Sequence, residues 1–281
     1  MKILILGGAG FVGSNLVKKL SKNNEVYVID NFSTGKKANK TKGVYYHEGE
    51  TRDIDSILGR ENTKIDIIYH LGEYSRVMTS FDDVEKVIDY NVKGTLAVIE
   101  YCRKNKTRLI YAGSSTKFGD AESPYSLFKK QNTEIIERYG EWYGLDYAIA
   151  YFYNVYGKNQ ISKGRFATLI GILEENVKAG RPHKINGPGI QSRNFTHVDD
   201  IVTGLILIGE KGKGEYCLGS NEEFTILEVA KMFGGPIEMQ NKQRGDRNFS
   251  LIDLTNIEKL GWKAKRNLKD YTTKFLAGIK S

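Results

Sequence analysis

The chain has 281 residues, of which 40% are hydrophobic and 27% are charged, with 30 glycines and 4 prolines. This composition is typical of a folded globular protein with one large core, and it excludes collagen-like, low-complexity and disordered classes. Lysine and arginine outnumber the acidic residues by 42 to 34, which gives a net charge of +8. Because the lysines are spread along the chain rather than gathered in one stripe, we expect an anionic small substrate and no nucleic acid partner.

The apolar runs of the chain are short. Runs such as residues 2–6 and 201–209 fall well below the roughly 20 residues that a membrane-spanning helix needs, so we expect no membrane partner. No secretory signal pattern follows Met1, and the two cysteines and four histidines lack metal-ligand spacing. We therefore expect a cytoplasmic protein with reduced thiols and no metal.

Short apolar strands alternate with amphipathic helices through the first half of the chain. The pattern predicts strands at residues 2–6, 25–30, 44–47, 66–71, 108–114 and 147–155, and helices at 11–20, 82–105 and 125–143. Parallel strands need crossover connections, which the helices supply. The predicted fold is therefore α/β, a Rossmann-type doubly wound parallel sheet with helices on both faces.

The regular alternation loosens after residue 157. Helices are predicted near 165–178 and 199–210, with a glycine and proline turn at 187–189 between them. We predict a dinucleotide-binding domain over residues 1–157, to which 190–211 return. Residues 158–189 and 212–281 are expected to form a smaller C-terminal α/β domain that binds substrate, with the ligand cleft between the two domains.

A glycine-rich loop lies between the first strand and the first helix. Gly7 permits a tight turn, Gly10 allows the backbone to approach a pyrophosphate, and Gly13 allows close packing of helix on sheet. Asp30 ends the second strand, where an acidic side chain can bond both adenosine ribose hydroxyls and would repel a 2′-phosphate. This favours NAD over NADP, although two lysines after the following turn keep NADP open.

Three side chains are candidate catalytic groups. Tyr125 and Lys129 are spaced i, i+4, which brings the phenol and the ammonium to one face of the predicted helix. A phenol is a poor base at neutral pH, and a neighbouring ammonium favours its ionised form. Ser114, at the end of a predicted strand, could bond the same substrate oxygen and stabilise its developing charge.

Together these motifs resemble those of the extended short-chain dehydrogenase/reductases, in the nucleotide-sugar epimerase/dehydratase family. The resemblance runs from residue 1 to about residue 264. It includes further motifs at residues 70–72, 91–95, 114–119, 151–157, 187–189, 192–200, 244–246 and 260–262. It implies a nucleoside-diphosphate sugar as substrate, NAD as cofactor, and a homodimer that packs through the two long helices.

The resemblance also implies the binding residues. Those expected to bind the cofactor are Gly7, Gly10, Phe11, Val12, Gly13, Asp30, Asn31, Ser33, Thr34, Gly35, Glu50, Thr51, Leu71, Gly72, Glu73, Asn91, Tyr125, Lys129 and Tyr153. Among them, Lys129 would hold a nicotinamide ribose hydroxyl. Those expected to bind substrate are Ser75, Ser114, Ser115, Asn154, Arg193, Arg244 and Asp246, with Arg193 and Arg244 on the diphosphate.

Three positions depart from the family pattern. The segment between Ser114 and Tyr125 is short, and Glu50 replaces the usual aspartate. Glu73 stands where a small residue is usual, so its carboxylate is expected to point at either the nicotinamide or the sugar. The Asp-Glu pair that follows the serine in dehydratases is replaced here by Ser115 and Thr116, which do not ionise usefully near neutral pH.

We therefore predict epimerisation, most simply at C4, through a transient 4-keto sugar. A 4,6-dehydratase stays open as the alternative, since Glu73 or Lys117 could supply the additional acid or base. A 4-keto-sugar reductase using NADPH is a second alternative, disfavoured by Asp30. A non-catalytic dinucleotide-binding protein would be expected to lose Tyr125 or Lys129 first. The sequence leaves the sugar and the choice among uracil, guanine and thymine open.

Overall fold

A seven-stranded parallel sheet forms the centre of the molecule in the computed structural model, which describes residues 1–61, 63–118, 123–241 and 251–280. Its strands are β1 (Lys2–Leu6), β2 (Glu25–Asp30), β3 (Tyr45–Glu48), β4 (Ile67–His70), β5 (Arg108–Ser114), β6 (Tyr147–Phe152) and β11 (Gly214–Leu218). The spatial order is β11-β6-β5-β4-β1-β2-β3. The chain thus winds outward in both directions from β1, and the predicted doubly wound sheet is confirmed.

Helices cover both faces of this sheet. They are α1 (Phe11–Leu20), α2 (Ile54–Glu61), α3 (Val84–Val87), α4 (Gly94–Asn105), α5 (Pro124–Tyr143), α6 (Leu169–Lys178), α7 (Val198–Lys211), α8 (Ile226–Phe233), α9 (Thr255–Lys259) and α10 (Leu268–Lys280). Alternate residues of β1 point to opposite faces, so Ile3 and Ile5 pack with α1 and α7, while Leu4 and Leu6 pack with α2 and α4. Both faces of β1 are therefore buried, as its continuous apolar run requires.

Local sequence signals set the ends of α5. Ser123 caps its N-terminus, accepting a hydrogen bond from the Ser126 amide at 3.1 Å, and Pro124 occupies the first turn. Gly144 follows the helix in a left-handed conformation with φ of +66°. The other predicted long helix differs from expectation, because Ile88–Lys93 forms a π-helical segment between α3 and α4. Such segments are frequent at functional sites.

The C-terminal part contains a second, smaller core, in which α6, α8 and α10 contribute Leu173, Phe233 and Leu268. Short strand pairs frame it, formed by β7 (Val155–Tyr156), β8 (His183–Asn186), β9 (Ser192–Asn194), β10 (Thr196–His197), β12 (Glu223–Thr225) and β13 (Ile237–Gln240). Helix α7, within the predicted returning segment 190–211, packs on the central sheet. The structure differs from the predicted boundary at β11, which pairs with β6 although residues 212–281 were assigned to the smaller domain.

Asp200 on α7 binds the segment that follows α9. Its buried carboxylate accepts hydrogen bonds from the amides of Lys265, at 3.0 Å, and Arg266, at 2.8 Å, and from the Arg266 guanidinium. The indole of Trp262 donates to the Asp200 carbonyl at 3.1 Å. Two motifs of the sequence, at 192–200 and 260–262, therefore contact each other.

Among the described helices, none is long and apolar enough to cross a membrane.

Asp200→Ala should lower the free energy of unfolding by about 2 to 4 kcal/mol, because two backbone amides and the Arg266 guanidinium lose their buried acceptor. Urea denaturation monitored by circular dichroism measures this change. The matched control is Asp199→Ala, whose half-exposed carboxylate makes a weaker ion pair with Arg266 at 3.2 Å. The control should cost less than about 1 kcal/mol. Equal losses in the two variants would contradict a specific role of Asp200.

Candidate active site

A cleft of about 680 Å³ opens at the carboxyl ends of the sheet strands. Its size is that of a ligand pocket, and its position is where doubly wound sheets bind ligands. It brings together most of the predicted site residues, namely Gly7, Gly10, Phe11, Val12, Gly13, Asp30, Asn31, Ser33, Thr34, Glu50, Thr51, Leu71, Gly72, Glu73, Ser75, Ser114, Ser115, Tyr125, Lys129 and Asn154.

The glycine loop forms one wall of the cleft, and side chains are excluded from it sterically. Gly7 has φ of +74°, and a Cβ there would lie 2.8 Å from the Leu71 carbonyl oxygen. A Cβ at Gly13 would lie 2.1 Å from the Gly7 carbonyl oxygen. The first turn of helix α1 is fully described, and it has neither a side-chain cap nor an acidic residue. Because this turn lines the cleft, the positive end of the helix dipole faces the cleft without a nearby negative charge, which suits a pyrophosphate.

Asp30 lies beside this loop at the end of β2. Its carboxylate accepts hydrogen bonds from the amides of Ala9 and Phe32, each at 2.8 Å. Burial raises the pKa of this carboxyl, and the two amides oppose that shift by stabilising the charged form. Each carboxylate oxygen can accept a further bond, so Asp30 fits a ribose diol. Gly35 lies behind it, since a Cβ at Gly35 would meet Asp30 Oδ1 at 2.7 Å.

Ser114, Tyr125 and Lys129 all line the same cleft. Tyr125 is half-buried in the first turn of α5, and Lys129 follows one turn later. The Ser114 hydroxyl oxygen accepts a hydrogen bond from Thr116 Oγ1 at 2.9 Å. Because Thr116 is the donor, the Ser114 hydroxyl can direct its own hydrogen toward a substrate oxygen. The arrangement supplies a phenol and a hydroxyl donor to a ligand in the cleft.

Lys129 is held by three acceptors of the protein. Its ammonium contacts the Glu73 carboxylate and the Ala112 carbonyl oxygen closely, and Tyr111 Oη lies at 3.2 Å. An ammonium carries three N–H groups, so each has an acceptor. The role that the resemblance implies for Lys129, holding a ribose hydroxyl, therefore requires one of these bonds to be exchanged.

Glu73 is the centre of a buried polar network, which we call the Glu73 network. Its side chain is 4% exposed and that of Lys129 is 6% exposed. Besides Lys129, the carboxylate accepts hydrogen bonds from Tyr111 Oη at 2.9 Å, Thr95 Oγ1 at 3.1 Å and Asn132 Nδ2 at 3.2 Å. Burial, and then the Glu73 charge, raise the pKa of Tyr111 well above its usual value. The partner of Glu73, open in the sequence, is thus Lys129.

His70 extends the Glu73 network below the cleft. Its Nε2 lies 3.0 Å from Thr95 Oγ1. Since the Thr95 hydroxyl donates to Glu73, it must accept from Nε2–H of His70, which fixes the tautomer. Complete burial lowers the pKa of His70 to about 4, so the ring is neutral at physiological pH. His70 therefore supports the network as a neutral donor.

Some predicted site residues lie outside the cleft. The Asn91 side chain accepts from the Tyr74 amide at 2.7 Å and donates to the Tyr74 carbonyl at 3.1 Å, so it braces the loop after β4. Tyr153 is buried and donates to the Leu251 carbonyl at 2.6 Å. Neither residue lines the cleft, and nor does Gly35. Arg244 and Asp246 lie outside the described residues.

Arg193 lines a second cavity of about 370 Å³, together with Lys184 and Phe195. This cavity and the cleft share the lining residues Arg76, Asn154, Val155, Ala167 and Thr168. The two spaces are therefore adjoining parts of one ligand-binding region. Arg76 was not among the residues predicted from the sequence, where its one signal is its position in the loop after β4, next to the predicted Ser75.

Lys117 does not line the cleft. Its ammonium pairs with Glu137 at 3.2 Å and with Glu215, and it donates to Tyr151 Oη at 2.9 Å. These partners join the segment after β5 to α5, β6 and β11. Lys117 thus anchors the segment that carries Ser115 and Thr116, and the idea that it supplies acid or base chemistry to the sugar finds no support in its position.

Glu73→Gln should lower the free energy of unfolding by about 3 to 5 kcal/mol, because it leaves the buried Lys129 ammonium without its counter-ion. Chemical denaturation of the purified protein measures this loss. The matched control is Glu141→Gln, which breaks a pair with Arg138 whose two side chains are both 59% exposed. That control should cost about 0.5 kcal/mol or less. If Glu73→Gln costs no more than the control, the pair contributes little to stability.

Comparison with known proteins supports the resemblance stated above. The model of the NAD dependent epimerase/dehydratase family matches residues 3–219. The chain is 30% identical to a putative UDP-glucose 4-epimerase of Methanocaldococcus jannaschii, over 95% of each chain. It is 31% identical to UDP-glucuronic acid decarboxylase 3 of Arabidopsis thaliana, over 96% of this chain and 86% of the relative.

Solved structures of similar fold include UDP-glucose 4-epimerases. The UDP-glucose 4-epimerase of Thermotoga maritima with UDP-glucose has a TM-score of 0.92 at 26% identity, covering 100% of both chains. The UDP-glucose 4-epimerase of Thermus thermophilus, in complex with NAD, has a TM-score of 0.91 at 24% identity, covering 100% of this chain and 99% of the other. This second structure has the same fold as the chain. The cofactor of the matched family is NAD, which confirms that prediction. The chain therefore belongs to the NAD dependent epimerase/dehydratase family of extended short-chain dehydrogenase/reductases.

Proposed function

We propose that this protein is an NAD-dependent epimerase that inverts one centre, C4, of a nucleoside-diphosphate sugar through a transient 4-keto sugar. The observation that carries the proposal is the meeting of Tyr125 and Ser114 with the glycine loop in one cleft. The carboxylates that line this cleft among the described residues are bound by other groups of the protein. The similarity to a putative UDP-glucose 4-epimerase also supports it.

The residues of the chain have separate tasks in this reaction. The glycine loop and Asp30 would hold NAD, which when bound accepts a hydride from the sugar and gives it back. Tyr125 takes the proton of the C4 hydroxyl at its phenol oxygen and later returns it. Ser114 donates a hydrogen bond to the same sugar oxygen and so stabilises its developing charge. The buried pair of Lys129 and Glu73 keeps the helix face that carries Tyr125 in a fixed position.

Inversion needs no further acid or base, because the keto sugar can turn over and accept the hydride on its other face. Elimination of water would need an additional acid and an additional base beside the sugar. The carboxylates among the described residues that line the cleft are each bound by donors: Asp30 by two amides, Glu50 by Asn31, Glu73 by Lys129, and Asp89 by Arg52. This favours epimerisation over 4,6-dehydration, which we keep as the alternative outcome.

We further propose that the protein works as a cytoplasmic homodimer joined through α4 and α5. Large apolar side chains are exposed on both helices, at Leu96, Leu127, Trp142 and Tyr143. Apolar groups concentrated on neighbouring helices are typical of a protein interface. Sedimentation velocity should give the mass of two chains, and the mass of one chain would contradict the dimer.

The decisive experiment on the reaction is incubation with NAD and a panel of UDP-, GDP- and dTDP-sugars, with the products resolved by NMR. An inverted C4 centre is the expected result. A 4-keto-6-deoxy product would replace the epimerase with the dehydratase. The absence of any product across the panel would contradict both reactions.

Tyr125→Phe should lower the turnover number at least about 100-fold, the usual scale for a lost general base. The affinity for NAD, measured by calorimetry, should change little, because the variant lacks one oxygen only. The matched control is Tyr45→Phe, which removes the same hydroxyl from an exposed ring on β3. Unchanged turnover in Tyr125→Phe would refute the assignment of Tyr125 as the base.

A further inference from the structure

The cationic side chains of the cleft differ in how their charge is balanced. Four line it among the described residues: Arg52, Arg76, Lys129 and Arg165. Three of them pair with carboxylates: Arg52 with Asp89, Lys129 with Glu73, and Arg165 with Asp82 and Asp83. Arg76 is the exception within the part of the chain that the structure describes.

Arg76 is bound by backbone carbonyls. Its Nε donates to the Phe166 carbonyl oxygen at 2.9 Å, Nη2 contacts the same oxygen, and Nη1 donates to the Ser75 carbonyl oxygen at 2.9 Å. A guanidinium has five N–H groups, so these bonds leave two for another acceptor. Burial lowers the pKa of Arg76, which is the effect of desolvation on a cation. A half-buried cation of this kind is stabilised when an anion binds to it.

Arg76 lies where two ligand-binding spaces adjoin, and this position limits which anions can contact it. The side chain lines both the cleft that contains Tyr125 and the second cavity that contains Arg193. After burial, which lowers the pKa of Arg76, the nearby phenol of Tyr125 is the next influence and raises that pKa. Under the proposed function, Tyr125 contacts the sugar, and Arg193 is expected to bind the diphosphate. Arg76 therefore lies between the sugar and the nucleotide ends of the ligand-binding region.

We propose that Arg76 binds an oxyanion of the substrate, either a carboxylate on the sugar or the diphosphate that links the sugar to its nucleoside. This inference rests on the proposed function and narrows its substrate class. Both oxyanions suit a planar guanidinium, which can donate two parallel hydrogen bonds to them. The hydrogen bonds that Arg76 donates to the Phe166 and Ser75 carbonyl oxygens fix the guanidinium before the ligand arrives, so little side-chain entropy is lost on binding.

Isothermal calorimetry on the NAD-loaded protein tests the proposal with UDP, UDP-glucose and UDP-glucuronate, or with the guanosine or thymidine series if the wild-type protein prefers that base. Arg76→Gln should weaken binding of the ligand that carries the recognised oxyanion about 10-fold or more, as expected for a lost hydrogen bond to a charged group. A loss confined to UDP-glucuronate identifies the sugar carboxylate. An equal loss for all three ligands identifies the diphosphate.

Two further variants make the result specific. Arg76→Lys keeps the charge but not the bidentate geometry, so it should recover part of the affinity. Arg165→Gln removes a cleft arginine that already has carboxylate partners, and it should weaken binding less than Arg76→Gln does. An unchanged affinity of each variant for NAD verifies that the cleft is folded.

Three results would overturn the inference. They are unchanged affinity of Arg76→Gln for all three ligands, an equal loss in Arg165→Gln, and an effect on turnover without any effect on affinity. If the wild-type protein binds none of the nucleotides, the proposed function itself is contradicted, and the inference on Arg76 falls with it. If the wild-type protein binds them and Arg76→Gln binds them equally well, only the inference on Arg76 fails.

Discussion

The ion pair between Glu73 and Lys129 connects the parts of the molecule on which the cleft depends. Glu73 follows β4 and Lys129 lies on α5, and both side chains are almost fully buried. Two buried charges are stable only when each is paired and its remaining hydrogen bonds are satisfied, and Tyr111, Thr95 and Asn132 supply those bonds to Glu73. The pair therefore fixes α5 against the sheet, and with it Tyr125, one turn before Lys129.

The parallel sheet explains why residues distant in sequence meet in this cleft. All seven strands run in one direction, so the segments that follow them emerge at the same edge. Gly7 follows β1, Asp30 ends β2, Glu73 follows β4 and Ser114 ends β5. Each of these four strands thus contributes one part of the site, while the buried sheet beneath keeps these parts at fixed distances.

Much of the sheet and of the cofactor-binding loop could be predicted from the sequence, because the relevant signals are local. Apolar periodicity located the strands of the first domain to within a few residues, and the glycine spacing identified the phosphate-binding loop. Contacts between elements carried no such signal. The partner of Glu73, the lack of a carboxylate beside Arg76 among the described residues, and the bracing of Tyr74 by Asn91 depend on how α5 and the loop after β4 pack. The place of β11 in the central sheet was missed for the same reason, since strand pairing is set by tertiary structure.

Under the proposed function, one cleft holds the cofactor and the sugar together beside the phenol of Tyr125. A crystal structure of the protein with NAD and a nucleotide sugar is the sharpest test of this arrangement. We expect Tyr125 Oη to lie within hydrogen-bond distance of the sugar hydroxyl whose carbon faces the nicotinamide ring. A complex in which the sugar or the nicotinamide ring lies far from Tyr125 would contradict it.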